Sequence, residues 1–128
     1  MKYLSGEEIL IIHSEIINHT GGLHGVRDVH LLASIVEKPK TKLYGKEMYP
    51  DVWHKAATYL EALAQYHVFT DGNKRTAVAV AAFFLYKNKK NFKATNKSIV
   101  SLALKVAQKQ LEAKKVAAWL KKNSQAAR

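Results

Sequence analysis

The amino-acid sequence predicts an all-α fold, a compact helical bundle packed around one buried central helix. Apolar residues recur at three- and four-residue spacing through most of the chain. Residues that favour helix N-termini precede these segments. One segment, Ala77 to Tyr86, is apolar throughout, which is typical of a helix buried on all sides. The 128 residues fit a single domain, 1–128, with residues 122–128 expected to be a frayed tail.

The first two helices are marked by their caps. Ser5 and Glu8 have the spacing of a capping box, and the helix that they begin is expected to end at Gly21-Gly22. Asp28 is expected to cap a second, short helix. Residues 38–50 show no helical period, so this stretch is predicted to be a loop or a short hairpin.

The remaining helices follow the same logic. Asp51 is expected to cap a third helix that ends near Tyr66, and residues 67–72 connect it to the central helix, residues 73 to about 89. Two further helices are predicted from their apolar stripes, which are formed by Ile99, Leu102, Ala103 and Val106, and by Val116, Ala117, Trp119 and Leu120.

Composition excludes several classes of protein. The chain contains no cysteine, which rules out a disulfide scaffold, a thiolate zinc site and a cysteine nucleophile. Glu7 and Glu8 stand where the apolar region of a secretory signal would begin. The longest apolar run has ten residues, too few for a membrane span. We therefore expect a soluble, cytoplasmic protein without a membrane partner.

The net charge of +11 is concentrated in the last third of the chain. Residues 1–86 contain nine Lys or Arg and nine Asp or Glu, whereas residues 87–128 contain twelve and one. Such a basic region can attract nucleic acid, an acidic protein or an acidic partner segment. It can equally be a lysine-rich face exposed to solvent, and composition alone does not decide between these.

The segment His67 to Thr76, which reads HVFTDGNKRT, carries the strongest functional signal. Lys74 and Arg75 fall in the first turn of the predicted central helix, where the helix dipole favours anions and each cation costs about 0.3–1 kcal/mol. A phosphate bound at the helix N-terminus would remove this conflict. Gly72 would let the backbone approach the phosphate, and Asn73 can orient the turn.

Neighbouring residues supply the rest of a phosphate-transfer site. Asp71 is a suitable Mg²⁺ ligand, since Mg²⁺ binds one or two carboxylates together with phosphate oxygens. His67 can act as a general base on a hydroxyl group, and Phe69 is expected to anchor the loop in the core. The sequence therefore indicates phosphoryl or nucleotidyl transfer. The competing interpretation is a capped helix with a solvated basic turn and a structural histidine.

This segment resembles the signature of the Fic superfamily, and most closely its Doc (death-on-curing) branch, which reads H-x-F-x-D-[AG]-N-K-R-T. The resemblance extends to the stretch Gly21-Gly22-Leu23-x-Gly25-x-Arg27-Asp28, to Ala64-x-x-His67 and to Ala117-Ala118-Trp119-Leu120. It implies a Fic-type helical bundle in which residues 38–50 form a flap that aligns a target segment.

The resemblance also implies a role for each motif residue. His67 would be the general base, Asp71 would hold Mg²⁺, and Phe69 would be structural. The nucleotide phosphates would be bound by Gly72, Asn73, Lys74 and Arg75. Tyr44 and Tyr49 in the flap are candidates for contact with the target.

Three positions depart from the broad Fic pattern. Val68 replaces a frequent proline, Lys74 stands where AMP-transferring members have glycine, and Val78 stands where many of them have a second arginine. The last two match the Doc branch. The resemblance therefore implies a toxin that uses ATP and Mg²⁺ to transfer the terminal phosphate to a translation elongation factor. An AMP-transferase of the wider Fic type remains the alternative.

The resemblance also implies a partner chain. Many Fic proteins carry an inhibitory [ST]-x-x-x-E-[GN] helix, which has no match here. Inhibition of the toxin is therefore expected to come from a Phd-type antitoxin, and residues 87–128 are one region that the antitoxin could contact. A non-enzymatic, basic nucleic-acid-binding module is the remaining alternative. It is disfavoured because only one of the twelve cations in the basic third is an arginine, the residue that most often reads bases.

Overall fold

The computed structural model describes residues 1–126, which form six α-helices and two short antiparallel strand pairs. The all-α prediction is confirmed. The helices are α1 (Gly6–Thr20), α2 (Val29–Glu37), α3 (Val52–Gln65), α4 (Asn73–Lys87), α5 (Asn96–Ala107) and α6 (Ala113–Lys122). The strands are β1 (Lys42–Leu43), β2 (Lys46–Glu47), β3 (Lys90–Phe92) and β4 (Ser124–Ala126).

The predicted caps begin the helices as expected. Ser5 and Glu8 form both hydrogen bonds of the capping box at the start of α1. The side chains of Asp28 and Asp51 accept a backbone hydrogen bond at the starts of α2 and α3. Thr95, which the apolar stripe alone did not indicate, does the same at the start of α5. Each cap satisfies a donor that the helix itself leaves free, so local sequence sets these boundaries.

The core lies mainly between α3 and α4, and one hydrophobic cluster includes residues from all six helices. The prediction that α4 is a central buried helix is confirmed, but α3 is buried to a similar extent. Tyr86 is an exception to the predicted burial, since it is 66% exposed. It lies in the last turn of α4, and tyrosine is often partly exposed because its hydroxyl group is polar.

The end of the chain differs from the prediction. The frayed tail expected over residues 122–128 is wrong for residues 122–126, because α6 runs to Lys122 and β4 pairs with β3. The backbone N–H of Lys93 also donates to the Asn123 carbonyl at 2.9 Å. Residues 124–126 thus provide hydrogen-bond partners for backbone groups at the edge of β3 that would otherwise be unpaired. The remainder of the predicted tail, residues 127–128, lies outside the described residues.

Residues 38–50 form the short hairpin that the sequence allowed. Strands β1 and β2 pair through Lys42 with Glu47 and Leu43 with Lys46, after one 3₁₀ turn at Lys38–Lys40. The hairpin is joined to α3 by Lys55, which is 1% exposed. Its ammonium group lies 2.9 Å from Oε1 of Glu47. No helix within residues 1–126 is both long enough and apolar enough to cross a bilayer.

Candidate functional site

The connection between α3 and α4 is closed by the side chain of Asn73. Its Oδ1 accepts a hydrogen bond from the Phe69 N–H at 3.0 Å, and its Nδ2 donates to the Phe69 carbonyl at 3.0 Å. Both polar groups of one loop residue are therefore satisfied by the first residue of α4. The side-chain amide of Asn73 thus bonds within the loop, while its backbone N–H lies in the first turn of the helix.

A second segment of the chain supports the same loop from outside. The Val68 carbonyl accepts hydrogen bonds from the Arg27 N–H at 2.7 Å and the Asp28 N–H at 3.1 Å. The Thr70 N–H donates to the Gly25 carbonyl at 3.1 Å, and Val26 forms an isolated antiparallel bridge with Phe69. The loop is thus paired like a strand with residues 25–28.

His67 lies one residue beyond the C-cap of α3, is exposed and has a φ of +51°. A non-glycine residue in this left-handed region is uncommon, and such residues concentrate at functional sites. Val68, the next residue, is fully buried. The backbone conformation therefore presents His67 to solvent at the point where the chain enters the core.

Gly72 precedes α4 with a φ of +73°, which glycine adopts without a steric penalty. A Cβ atom there would lie 2.9 Å from Cδ1 of Ile17 on α1. Gly72 therefore permits both the left-handed turn and the close approach of α1 to the loop. The first turn of α4 contains no acidic residue.

The Asp71 carboxylate is held by two backbone donors. Its Oδ1 accepts the Gly72 N–H at 2.8 Å, and its Oδ2 accepts the Leu23 N–H at 3.3 Å. A Cβ atom on Gly22, whose φ is +116°, would lie 2.6 Å from Oδ2. The carboxylate thus occupies a cradle that a larger residue at position 22 would fill.

The two cations of the first turn differ in their contacts. Arg75 is exposed, and its guanidinium donates to the Thr20 hydroxyl at 2.9 Å, which ties it to the end of α1. Lys74 is also exposed. Both positive charges lie at the end of α4 where the helix dipole is positive, so the region attracts anions.

A cavity of about 450 Å³ opens between the start of α4 and α5. One side is polar, and the other is an apolar wall. The polar side consists of Asp71, Gly72, Asn73, Lys74 and Arg75, and the apolar wall of Val78, Ile99, Val100, Ala103 and Leu104. The structure thus brings together the predicted phosphate-binding residues and the predicted metal ligand. His67, Tyr44 and Tyr49 do not line this cavity.

Phe69, the predicted anchor of the loop, is 1% exposed. Its ring stacks on the imidazole of His13, with ring centres 3.8 Å apart and planes inclined by 6°. His13 is 4% exposed, and its Nε2 lies 2.8 Å from the Asp71 carbonyl oxygen. His13 is not among the site residues that the motif predicted. Its position on the buried face of α1, four residues after Ile9, was the available signal.

The two tyrosines predicted to contact a target occupy different environments. Tyr44 lies in the turn between β1 and β2, is 96% exposed and has a φ of +51°. Tyr49 follows β2 and is half-buried. Tyr44 is therefore the more accessible of the two for contact with another molecule.

Comparison with known proteins gives the family. Residues 3–85 match the model of the Fic/DOC family. The chain belongs to the Fic/DOC family. The matched region contains the β1–β2 hairpin, the loop between α3 and α4 and most of α4, so it includes the geometry described above.

Two curated relatives of this Fic/DOC chain carry the Doc name. "Toxin Doc" of Mycolicibacterium smegmatis is 44% identical over 87 residues, covering 68% of this chain and 65% of that protein. "Protein kinase doc" of Escherichia phage P1 is 36% identical over 88 residues, covering 69% of this chain and 69% of that protein. The similarity to the mycobacterial toxin thus spans slightly less than two thirds of its length.

Proposed function

We propose that this protein is a Doc-type toxin that transfers the terminal phosphate of ATP to a hydroxyl group on a translation elongation factor. The modification would arrest translation in the cytoplasm. Membership of the Fic/DOC family supports the transferase activity, and similarity to a protein named as a toxin and another named as a kinase supports the toxin kinase.

The observation that carries this proposal is the pair of exposed cations at the start of α4. Lys74 and Arg75 line the 450 Å³ cavity next to the left-handed Gly72. In this position they oppose the helix dipole unless an anion is bound. The backbone N–H groups of the turn, together with these two side chains, would bind the phosphates of a nucleotide. The nucleoside would pack against the apolar wall that α5 contributes to the cavity.

Asp71 fits the requirements of a Mg²⁺ site in the presence of a nucleotide. Within residues 1–126 no group of three or more His, Cys, Asp or Glu side chains is arranged to hold a metal. A single carboxylate beside a polyphosphate suits Mg²⁺, which retains water and phosphate oxygens as ligands. Bound Mg²⁺ would neutralise phosphate charge, and Asp71 would hold it with the carboxylate already oriented by Leu23 and Gly72.

In this mechanism His67 is the general base. The neutral imidazole accepts the proton of the target hydroxyl while the hydroxyl oxygen bonds to the γ-phosphorus. The bond between the γ-phosphorus and the bridging oxygen of ADP breaks, and ADP leaves. Lys74, Arg75 and the N-terminal amides of α4 offset the charge on the transferring group.

Transfer of the terminal phosphate is favoured over AMP transfer by the residues of the cavity. Lys74 adds a side chain and a charge where AMP-transferring Fic proteins have glycine. Val78 places an apolar group in the cavity wall where many of them have a second arginine. Arg75 is thus the one arginine among the residues that line this cavity, and it is already bonded to Thr20.

The hairpin is the proposed flap for the protein substrate. Backbone groups of β1 and β2 pair with each other, and Tyr44 projects from the turn between them. Leu43 and Met48 are also exposed, at 57% and 47%. An extended segment of the elongation factor would lie against this apolar edge, with its hydroxyl group directed to His67.

A Phd-type antitoxin is the proposed partner that restrains the toxin. Helix α5 belongs to the basic third and also forms the apolar wall of the cavity. A second groove of about 610 Å³ continues past Arg75 and Ile99 to Phe92 and Lys93. An acidic segment lying across α5 would therefore cover the proposed nucleotide site. Cross-linking that places the antitoxin entirely outside residues 87–128 would contradict this part of the proposal.

Labelled ATP tests the proposed reaction. The full chain is incubated with elongation factor, Mg²⁺ and ATP labelled on either the γ- or the α-phosphate, beside His67→Ala and Asp71→Ala controls. Label from the γ-position is expected on the factor with the wild-type chain only. Transfer of α-label would replace the proposal with AMP transfer. If none of the three proteins transfers label to the factor, both activities are contradicted.

A further inference from the structure

A peptide group at the candidate site is held from both ends. The carbonyl oxygen of the Asp71–Gly72 peptide lies 2.8 Å from Nε2 of His13. The N–H of the same peptide donates to Oδ1 of the Asp71 side chain at 2.8 Å. A carbonyl oxygen only accepts, so Nε2 of His13 carries a proton and donates it. Since the peptide is planar, fixing its oxygen also fixes the direction of its N–H.

This peptide would otherwise be free to rotate. Gly72 follows this peptide and has a positive φ. A glycine in that position allows the preceding peptide to take either of two orientations, which are those that distinguish β-turns of types I and II. The alternative orientation would turn the carbonyl oxygen towards the Asp71 carboxylate and the N–H away from it. The carboxylate would then lose one of its two donors and meet a repulsive dipole.

The His13 ring is suited to hold the loop in one orientation. It lies flat on Phe69, whose backbone is bonded on both sides by Asn73. Burial of an imidazole costs free energy unless its polar atoms are bonded. A simple filler of this space would be apolar, whereas His13 provides both an aromatic face and a donor aimed at one carbonyl.

We propose that His13 is a positioning residue that locks the Asp71–Gly72 peptide and so orients the Asp71 carboxylate for a divalent cation. This inference rests on the proposed role of Asp71 as a metal ligand. His13 itself contacts neither the cation nor the substrate. Partners that orient a ligand in this way commonly change metal affinity by about 10–100-fold when they are removed.

Two substitutions separate the two contacts of His13. His13→Phe keeps the stacked ring but loses the donor. His13→Gln keeps a donor near the position of Nε2 but loses the ring. His19→Phe is the matched control, because His19 lies on the same helix and is exposed. The full chain is titrated with Mn²⁺ in the presence of a non-hydrolysable ATP analogue, and free Mn²⁺ is followed by electron paramagnetic resonance.

His13→Phe is expected to weaken Mn²⁺ binding about tenfold or more. His13→Gln and His19→Phe are expected to stay within about threefold of wild type, a change of less than ~0.7 kcal/mol. Wild-type affinity in His13→Phe, or equal loss in His13→Phe and His13→Gln, would overturn the inference. Asp71→Asn tests the underlying metal site separately: if it binds Mn²⁺ as wild type does, the proposed role of Asp71 fails.

A second measurement needs no metal. The amide of Gly72 is followed by NMR in the chain without Mn²⁺ or nucleotide, because it belongs to the locked peptide. Faster hydrogen exchange and a shifted Gly72 resonance are expected in His13→Phe, and values near wild type are expected in His13→Gln. An unchanged Gly72 signal in His13→Phe would show that the peptide does not depend on the donor.

Discussion

The ammonium group of Lys55 lies 2.9 Å from Oε1 of Glu47 and 2.9 Å from the carbonyl oxygen of Pro39. Lys55 stands on α3 with 1% of its side chain exposed, while Glu47 is 41% exposed on β2. One buried cation thus joins the 3₁₀ turn and the hairpin to the most buried part of the core. It is a buried polar attachment of the proposed flap to α3.

Replacing Lys55 by Met should loosen this attachment. We expect a loss of about 1.5–3 kcal/mol in the free energy of unfolding, because the Pro39 carbonyl loses a charged donor. Amide protection should fall in β1 and β2 before it falls in α3. Lys40→Met is the control, since Lys40 also lies 5.3 Å from the Tyr3 ring but pairs with Glu37 on the surface at 3.8 Å. Lys40→Met should cost under about 0.5 kcal/mol; equal costs would contradict the assigned role of Lys55.

The same pair predicts a pH dependence. The hydrogen bond from Lys55 holds the pKa of Glu47 below its usual value of 4.5. Burial lowers the pKa of Lys55, but the hydrogen bonds and charges of Glu47 and Tyr3 together outweigh it and leave that pKa above 10.5. The contribution of Glu47 to the free energy of unfolding is therefore lost as the pH falls through its depressed pKa. The contribution of Lys55 is lost as the pH rises through its raised pKa.

The difference in urea midpoint between wild type and Glu47→Gln isolates this pair, because the Glu8–Lys87 ion pair is present in both proteins. The difference should be constant between about pH 5 and 10. It should shrink towards both extremes. A difference that persists at pH 2 would mean that the pair is not its source.

Gly22→Ala should impair metal binding while the nearby Gly21→Ala does not. Both positions have positive φ, so both substitutions carry a backbone cost of about 1–2 kcal/mol. Only the new methyl group at position 22 meets the Asp71 carboxylate, at 2.6 Å, whereas position 21 has open space. Calorimetric titration with Mg²⁺ and an ATP analogue measures the effect. Comparable weakening in both variants would assign it to backbone strain alone.

Asn73→Ala and Asn73→Asp should separate stability from anion binding. Alanine removes both hydrogen bonds to Phe69 and should cost about 1–3 kcal/mol. Aspartate keeps the acceptor for the Phe69 N–H and adds a negative charge that the start of α4 favours, but its second oxygen repels the Phe69 carbonyl that Nδ2 bonds in wild type. Its stability should therefore lie between those of the alanine variant and wild type. The same charge should repel a nucleotide. Denaturation and ATP-binding curves check the two effects, and an Asn73→Asp chain that binds ATP normally would argue against the anion site.

Much of the fold was accessible from local sequence. Caps such as Ser5 and Asp51 act on donors two or three residues away, so pattern alone sets the helix boundaries. Contacts between distant segments were not accessible. From sequence alone Lys55 is expected to be an ordinary surface lysine. Its partners Pro39 and Glu47 lie in a stretch without a regular pattern, so their approach to Lys55 could not be predicted. The β3–β4 pair was missed because its partners are separated by more than 30 residues and carry no strand pattern.

The site shows the same division. The order of residues in the motif predicted that Lys74 and Arg75 lie in the first turn of a helix and that Phe69 is buried, since both depend on the local course of the chain. His13 and Asp71 are 58 residues apart, and nothing local relates them. The bonds from residues 25–28 to the loop are equally non-local. Sequence therefore predicted the candidate site residues and their local supports Phe69 and Asn73, but not the supports that come from distant segments.

These supports have a genetic consequence. The loop carries the proposed chemistry, yet residues 22–28 and His13, none of which reacts, determine its shape. In a culture that survives induction of this chain, inactivating substitutions should therefore fall in two clusters. One should cover residues 67–76, and the other should cover the glycines and the histidine of the first 28 residues. A collection of survivors thus maps the architecture of the site without any assay of its reaction.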